Sequence, residues 1–250
     1  MRYFIELSYN GKNYHGWQIQ PNAVSVQEIV TKALSTVLRV KVDIMGAGRT
    51  DAGVHALQLF AHFDIDFKLD EEESKHKLNA FLPDDIVIAA ISLVNDDAHA
   101  RFDATSRSYE YRIWLGRNPF LLDTTLQLYQ QKLDIKKMNE AAAILLEYTN
   151  FKSFSKSKTD VKTYNCNIIE AKWVLDSKLL TFHITADRFL RNMVRAIVGT
   201  LIAVGLNKKT KEDLVAIIKS EDRSKAGVSV PPQGLFLTRV AYKNEVFNRA

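Results

Sequence analysis

From Arg2 to Tyr9, apolar and polar residues alternate, with Tyr3, Ile5 and Leu7 on one face. This period of two predicts a half-buried strand. Ser25-Val-Gln-Glu28 reads as a capping box, and Val26, Ile29, Val30, Ala33, Leu34 and Val37 follow at helical spacing. Val42 to Met45 predicts a short strand running into a glycine-rich turn, and Leu57, Leu59, Ala61, Phe63, Ile65 and Phe67 alternate along a longer one. Asp70 is placed to cap a helix to about Phe81, and Ile86 to Leu93 is apolar enough for a buried strand.

The same order returns after residue 100. Ser108 to Leu115 predicts a strand with Tyr109, Tyr111 and Ile113 on one side. Asp134 is expected to cap a helix to about Tyr148, and Tyr164–Leu175 and Leu179–Ala186 to pair through a turn at Asp176-Ser177. Asp187 is expected to cap a long apolar helix ending at Gly205, where glycine suits a C-terminal cap. Thr210 opens a shorter helix, and Gly234 to Tyr242 alternates as a last strand. Strand, helix, strand, strand, helix, strand is the ferredoxin-like βαββαβ order. The expected fold is therefore α+β: two pseudosymmetric halves, 1–105 and 106–250, forming a continuous, mainly antiparallel sheet with flanking helices and a central cleft.

Composition narrows the class. The 250 residues are 46% hydrophobic and 25% charged, ordinary values for a globular chain. A single cysteine, Cys166, excludes an internal disulfide and any multi-cysteine metal centre. The longest apolar stretch, Ala196 to Leu206, is too short to span a bilayer, and the start MRYFIELSYN lacks the apolar run of a signal peptide. A cytoplasmic protein is expected. Residues 1–100 carry 9 basic and 14 acidic side chains, whereas residues 101–250 carry 25 and 15. That asymmetry points the second part towards a polyanion, the alternative being a basic surface kept for solubility.

Three segments could carry chemistry. Gly46-Ala-Gly-Arg-Thr-Asp-Ala-Gly-Val-His-Ala56 sets Arg49 and Asp51 two residues apart, on one side of an extended stretch, among glycines that admit close approach. It is neither a dinucleotide fingerprint nor a P-loop, and a simple turn closed by Asp51 is its plain alternative. Arg188, Arg191 and Arg195 fall on one face of the expected helix after Asp187. Arg195 sits inside Met193-Val-Arg-Ala-Ile-Val198, where a charge needs a partner unless its head reaches solvent along its stem. From Arg101 to Arg112, basic and aromatic residues interleave, including Arg107, Tyr109 and Arg112, a mixture suited to an unstacked base beside a phosphate backbone. The segment 151–162, with Lys152, Lys156 and Lys158, reads as a solvated loop or a phosphate contact. His15, His55, His62 and His99 show no metal-ligand spacing.

Tyr9-Asn-Gly-Lys-Asn-Tyr-His-Gly-Trp-Gln18, Gly48-Arg-Thr-Asp-Ala-Gly-Val-His-Ala56, Ala100-Arg-Phe-Asp-Ala104 through Tyr109, Phe189 through Met193-Val-Arg-Ala-Ile-Val-Gly199, and Gly234-Leu235 follow one another along the chain. In these blocks the sequence resembles the tRNA pseudouridine synthase TruA family over nearly its whole length. The resemblance implies an isomerase that turns uridine into pseudouridine in the anticodon stem-loop of tRNA, at positions 38, 39 and 40, without cofactor or metal and as a homodimer. It assigns Asp51 as the catalytic aspartate, acting as nucleophile or by removing a ribose proton. Arg195 matches the arginine that pairs with it, Arg49 the residue that displaces the target nucleotide, and Tyr109 the tyrosine that packs on the extracted uracil. From the basic balance after residue 100, and not from the resemblance, Arg107, Arg112, Lys152, Lys156, Lys158, Arg188 and Arg191 are expected to meet the RNA backbone. The chain departs from the family pattern at Ile19, at Asn165-Cys166-Asn167 and at Arg191-Asn192. Two rivals are an RNA-binding or RNA-folding protein without turnover and a pseudouridine synthase for another RNA.

Overall fold

A computed structural model describes residues 1–156 and 161–247; Lys158 lies outside the described residues. In chain order the elements are β1 (Arg2–Tyr9), α1 (Val26–Leu38), β2 (Met45–Gly46), β3 (His55–Asp64), α2 (Glu71–Phe81), β4 (Ile86–Val94), β5 (Ala104–Leu115), β6 (Leu126–Leu128), α3 (Ile135–Ile144), β7 (Ile168–Asp176), β8 (Leu179–Ala186), α4 (Met193–Gly205), α5 (Lys211–Ser220) and β9 (Leu235–Tyr242). The fold is α+β with mostly antiparallel pairing. The chain forms two compact units: residues from Met1 to Ser106 joined by the chain from Phe236, and residues Arg107 to Leu235. The last strand therefore belongs with the first unit, a return that a single division at 105/106 leaves out.

In the first unit, β1 lies antiparallel between β3 and β4, so that Ile5 faces Ala61 on one side and Ile91 on the other. β9 adds to β3 in parallel, Phe236 opposite His55. Tyr3, Ile5 and Leu7 are fully buried, as the alternation requires. Phe4, on the other face, is buried as well: its ring lies 5.4 Å from that of Tyr242, 5.8 Å from Phe247 and 6.3 Å from Phe60. The expected half-buried strand is thus covered on both faces near its start. Burying such a ring contributes about 1.5–3 kcal/mol. The short strand expected over Val42–Met45 pairs only at Met45 and Gly46, opposite His62 and Ala61.

In the second unit β8 lies antiparallel between β5 and β7, and Tyr111 and Trp173 both face Phe182. Helix starts follow local capping where the cap is local. Ser25, Asp70 and Asp134 accept the backbone N–H three residues on, and Thr210 and Asp213 form a reciprocal box. Asp187 does not. Its carboxylate accepts the N–H groups of Asn167 and Arg188, each at 2.7 Å, and α4 begins only at Met193, after Asn192 in the left-handed region. Arg188 and Arg191 consequently precede the helix rather than sharing its face with Arg195.

α4 is buried nearly all round. Its last glycine, Gly205, serves approach rather than capping: a Cβ there would press on the Met138 side chain of α3, while Asn207 takes the left-handed turn. Phe151, Ser153, Phe154 and Ser155 are buried, and Ser153 Oγ donates to the Ile217 carbonyl at 2.7 Å. The start of segment 151–162 is therefore an anchored turn, not a solvated loop, because two aromatic rings hold it in the core. Cys166 is also buried, and burial pushes its thiol up to about 12.

Candidate active site

The loop between β2 and β3 carries Arg49 and Asp51. Asp51 and Val54 close a tight turn, Val54 N–H donating to the Asp51 carbonyl at 3.2 Å, with Gly53 at φ +75°. A positive φ at the third position is what a type II turn demands, and glycine meets it without strain. The bond that closes this turn is accepted by the main chain of Asp51.

A second segment holds the loop from outside. Gly53 N–H donates to the Tyr14 carbonyl at 3.1 Å, and Trp17 N–H to the Thr50 carbonyl at 3.4 Å. The Thr50 hydroxyl shares a hydrogen bond with Tyr9 Oη at 2.8 Å. Gly16, at φ +88°, runs so close that a Cβ on it would collide with the Thr50 carbonyl oxygen, and Gly46 lies directly on the Trp17 indole. Gly48 differs: a Cβ there would meet nothing within 4 Å. The holding segment is itself tied down through Asp85, which accepts from Tyr14 Oη at 2.5 Å and Asn13 Nδ2 at 3.1 Å. Burial first, and this bond second, hold the Tyr14 phenol above the usual tyrosine range.

Arg49 is exposed, and its Nε donates to Gln18 Oε1 at 3.2 Å; Asp51 is half-buried. The nearby histidines are structural. His55 Nδ1 accepts from Gly11 N–H and its ring stacks 4.5 Å from Phe236, while His62 Nδ1 accepts from Ala100 N–H. Burial, reinforced by Arg2 and His99, lowers His62 to about 4.

The second unit holds Tyr109 and Arg195. Tyr109 lies on β5 opposite Ile184, half-buried, with Phe189 edge-on at 5.1 Å. Tyr111, two residues on, is wholly buried and donates its hydroxyl to the Pro231 carbonyl at 2.9 Å, so it is a core residue. Arg195 sits in the first turn of α4, half-buried. Its Nε donates to the Val230 carbonyl at 2.7 Å, and Val230 N–H returns a bond to the Arg195 carbonyl at 3.2 Å. The chain can run this close because Gly199 has no side chain: a Cβ would strike the Val228 carbonyl.

The basic residues are partly engaged. Arg112 forks onto Glu110, with Nε and Nη2 both donating to Oε2. Arg107 donates to the Asp187 carbonyl at 2.9 Å, and Arg188 to the Thr163 carbonyl at 3.4 Å. Lys152 Nζ lies 3.3 Å from Glu221 and over the Tyr164 ring, and Arg191 is exposed, its carbonyl accepting from Lys156 N–H. In the sequence the block from Tyr9 to Gln18 carries the resemblance without an assigned role. Its clustered aromatic and glycine residues were the available signal; Asp85 offered none.

The family model described as tRNA pseudouridine synthase matches residues 7–103 and 141–243. A protein of Bacteroides thetaiotaomicron named tRNA pseudouridine synthase A is 52% identical over 250 residues, covering 99% of this chain and 93% of that protein. One of the same name from Porphyromonas gingivalis is 52% identical over 98% of this chain and 99% of its own length. A Thermoanaerobacter relative, named likewise, is 41% identical over 95% of this chain and 98% of its own.

Proposed function

As this chain belongs to the tRNA pseudouridine synthase family, we propose that it isomerises uridine to pseudouridine in the anticodon stem-loop of tRNA, at positions 38, 39 and 40, with Asp51 as the acting carboxylate. The bond from ribose C1′ to N1 breaks, the uracil turns, C1′ joins C5, the C5 proton leaves and N1 takes up a proton, so the product is an isomer of the substrate. Asp51 attacks C1′ or removes a ribose proton to give a glycal; both routes need an ionised carboxylate held still. The observation that carries the reading is the Asp51 turn, pinned by main-chain bonds from Tyr14 and Trp17 with Arg49 exposed beside it.

In the same reading Arg195 balances the Asp51 charge and Tyr109 packs on the extracted uracil. Arg49 displaces the target nucleotide from its stack, since the reacting atoms are out of reach within a stacked stem. Arg107, Lys152, Lys156, Arg188 and Arg191 supply phosphate contacts, and Arg112 does so only by giving up Glu110. The enzyme works as a cytoplasmic homodimer with tRNA as its partner. Among the described residues no helix is long and apolar enough to cross a membrane.

Tritium release from tRNA carrying 5-tritiated uridine is the test. Asp51→Asn is expected to abolish release while tRNA binding and melting temperature stay unchanged. Substantial release by the folded variant would falsify the assignment, and binding without release by the unmodified protein would favour an RNA-folding role.

A further inference from the structure

Behind Arg49 stands a directional chain of amides. Gln27, in the first turn of α1 and only 8% exposed, donates Nε2 to the Ile44 carbonyl at 2.8 Å and accepts Ile19 N–H on Oε1 at 2.9 Å. The same Oε1 accepts Gln18 Nε2 at 3.0 Å, and Gln18 Oε1 accepts Arg49 Nε at 3.2 Å. An amide can in general be flipped end for end. Here it cannot, because a main-chain carbonyl is only an acceptor and a main-chain N–H only a donor. Ile44 and Ile19 therefore fix Gln27, Gln27 fixes Gln18, and Gln18 is left with an oxygen facing the arginine. Only an amide at 27 satisfies all of its partners; a carboxylate would set an acceptor against the Ile44 carbonyl.

The geometry points to Gln18 and Gln27 as positioning residues that preset Arg49 for displacing a paired uridine. A long exposed arginine samples many rotamers, and ordering it costs entropy when RNA arrives. The relay holds it by Nε, so the two terminal nitrogens of the guanidinium are not spent on Gln18. The inference rests on the reading of Arg49 as the residue that displaces the base.

Single-turnover rates on two tRNAs test it: one with the target uridine paired, the other with the opposite nucleotide changed so that it is unpaired. Gln18→Met is expected to slow the paired substrate about tenfold, as for one hydrogen bond to a charged group, and to leave the unpaired rate, tRNA affinity and melting temperature unchanged. Gln18→Glu keeps an acceptor for Arg49 but sets a carboxylate oxygen against Gln27 Oε1, so it should recover only part of the paired rate. The double variant Gln18→Met/Arg49→Met should be no slower than Arg49→Met alone, because both act on one step. Equal losses on the two substrates, or additive losses in the double variant, would overturn the relay while leaving Arg49 in its role. Should Arg49→Met itself slow both substrates equally, the base-displacing role fails and the relay inference falls with it.

Discussion

The Asp51 loop and the guanidinium groups of the segment from Asp187 to Arg195 are held in opposite ways. The loop is fixed by main-chain bonds and by glycines that let two backbones touch: Gly53 to Tyr14, Trp17 to Thr50, Gly16 against Thr50. The arginine segment has no regular structure until Met193, and its guanidinium groups reach carbonyls: Arg195 to Val230, Arg188 to Thr163. A main-chain bond cannot adjust without moving the chain, whereas a long side chain can exchange one acceptor for another. The carboxylate proposed to act on one carbon atom has the stiff support, and the arginines proposed to meet the RNA backbone have the compliant one.

Stiffness is the side of this contrast most easily broken. Gly16→Ala places a Cβ against the Thr50 carbonyl at a φ that side chains rarely adopt, and is expected to cost about 3 kcal/mol and most of the activity. Gly48→Ala, with open space around it, should melt like the unmodified protein. Chemical denaturation of both variants measures the difference, and equal midpoints would show that the loop yields more than its contacts imply.

The first unit's rigidity should also carry a pH signature. His62 is neutral in the fold, with its value lowered from 6.5 to about 4 by burial and by the charges of Arg2 and His99. The unfolded chain takes up this proton first, so the stabilisation is complete above about pH 6.5 and is lost as pH falls towards 4. The loss should reach about 2–3 kcal/mol. His62→Gln should flatten the stability curve in that window; an unchanged slope would assign the acid sensitivity elsewhere.

The smallest effect tests the compliant side. Lys152 is already beside Glu221, so replacing Lys152 and Lys156 together by glutamine should lower the slope of log affinity against log salt by only about 0.7, the value for one lost phosphate contact. A fall twice as large would mean that Glu221 releases Lys152 to the RNA. No change would leave phosphate binding to the arginines.

The same contrast explains what was legible in the sequence. Ser25, Asp70, Asp134 and Thr210 could be read as caps because donor and acceptor lie three residues apart. Asp187 looked the same but bonds Asn167, 20 residues away, and the helix start moved to Met193. Arg49 and Asp51 stood out through their glycines and their family motif. The support from Tyr14, Gly16, Trp17 and Asp85 did not, nor did the amides of Gln18 and Gln27, because polar contacts between distant segments leave no periodicity to read. Burial of Phe4 was hidden for a like reason: its covering rings, Tyr242 and Phe247, lie more than 200 residues further on.

That distance has a consequence for how the chain comes into being. A ribosome releases β1, β3 and β4 early, yet Phe4 and Phe60 stay open to water until Tyr242 and Phe247 are synthesised. Throughout that interval the nascent first unit shows an apolar sheet face and lacks the neighbour that β9 gives β3. Contacts this far apart in sequence form slowly and leave surfaces that attract chaperones or other chains. The residues from Phe236 to Phe247 thus act as a late closure, and the first unit to be translated is the last to be completed.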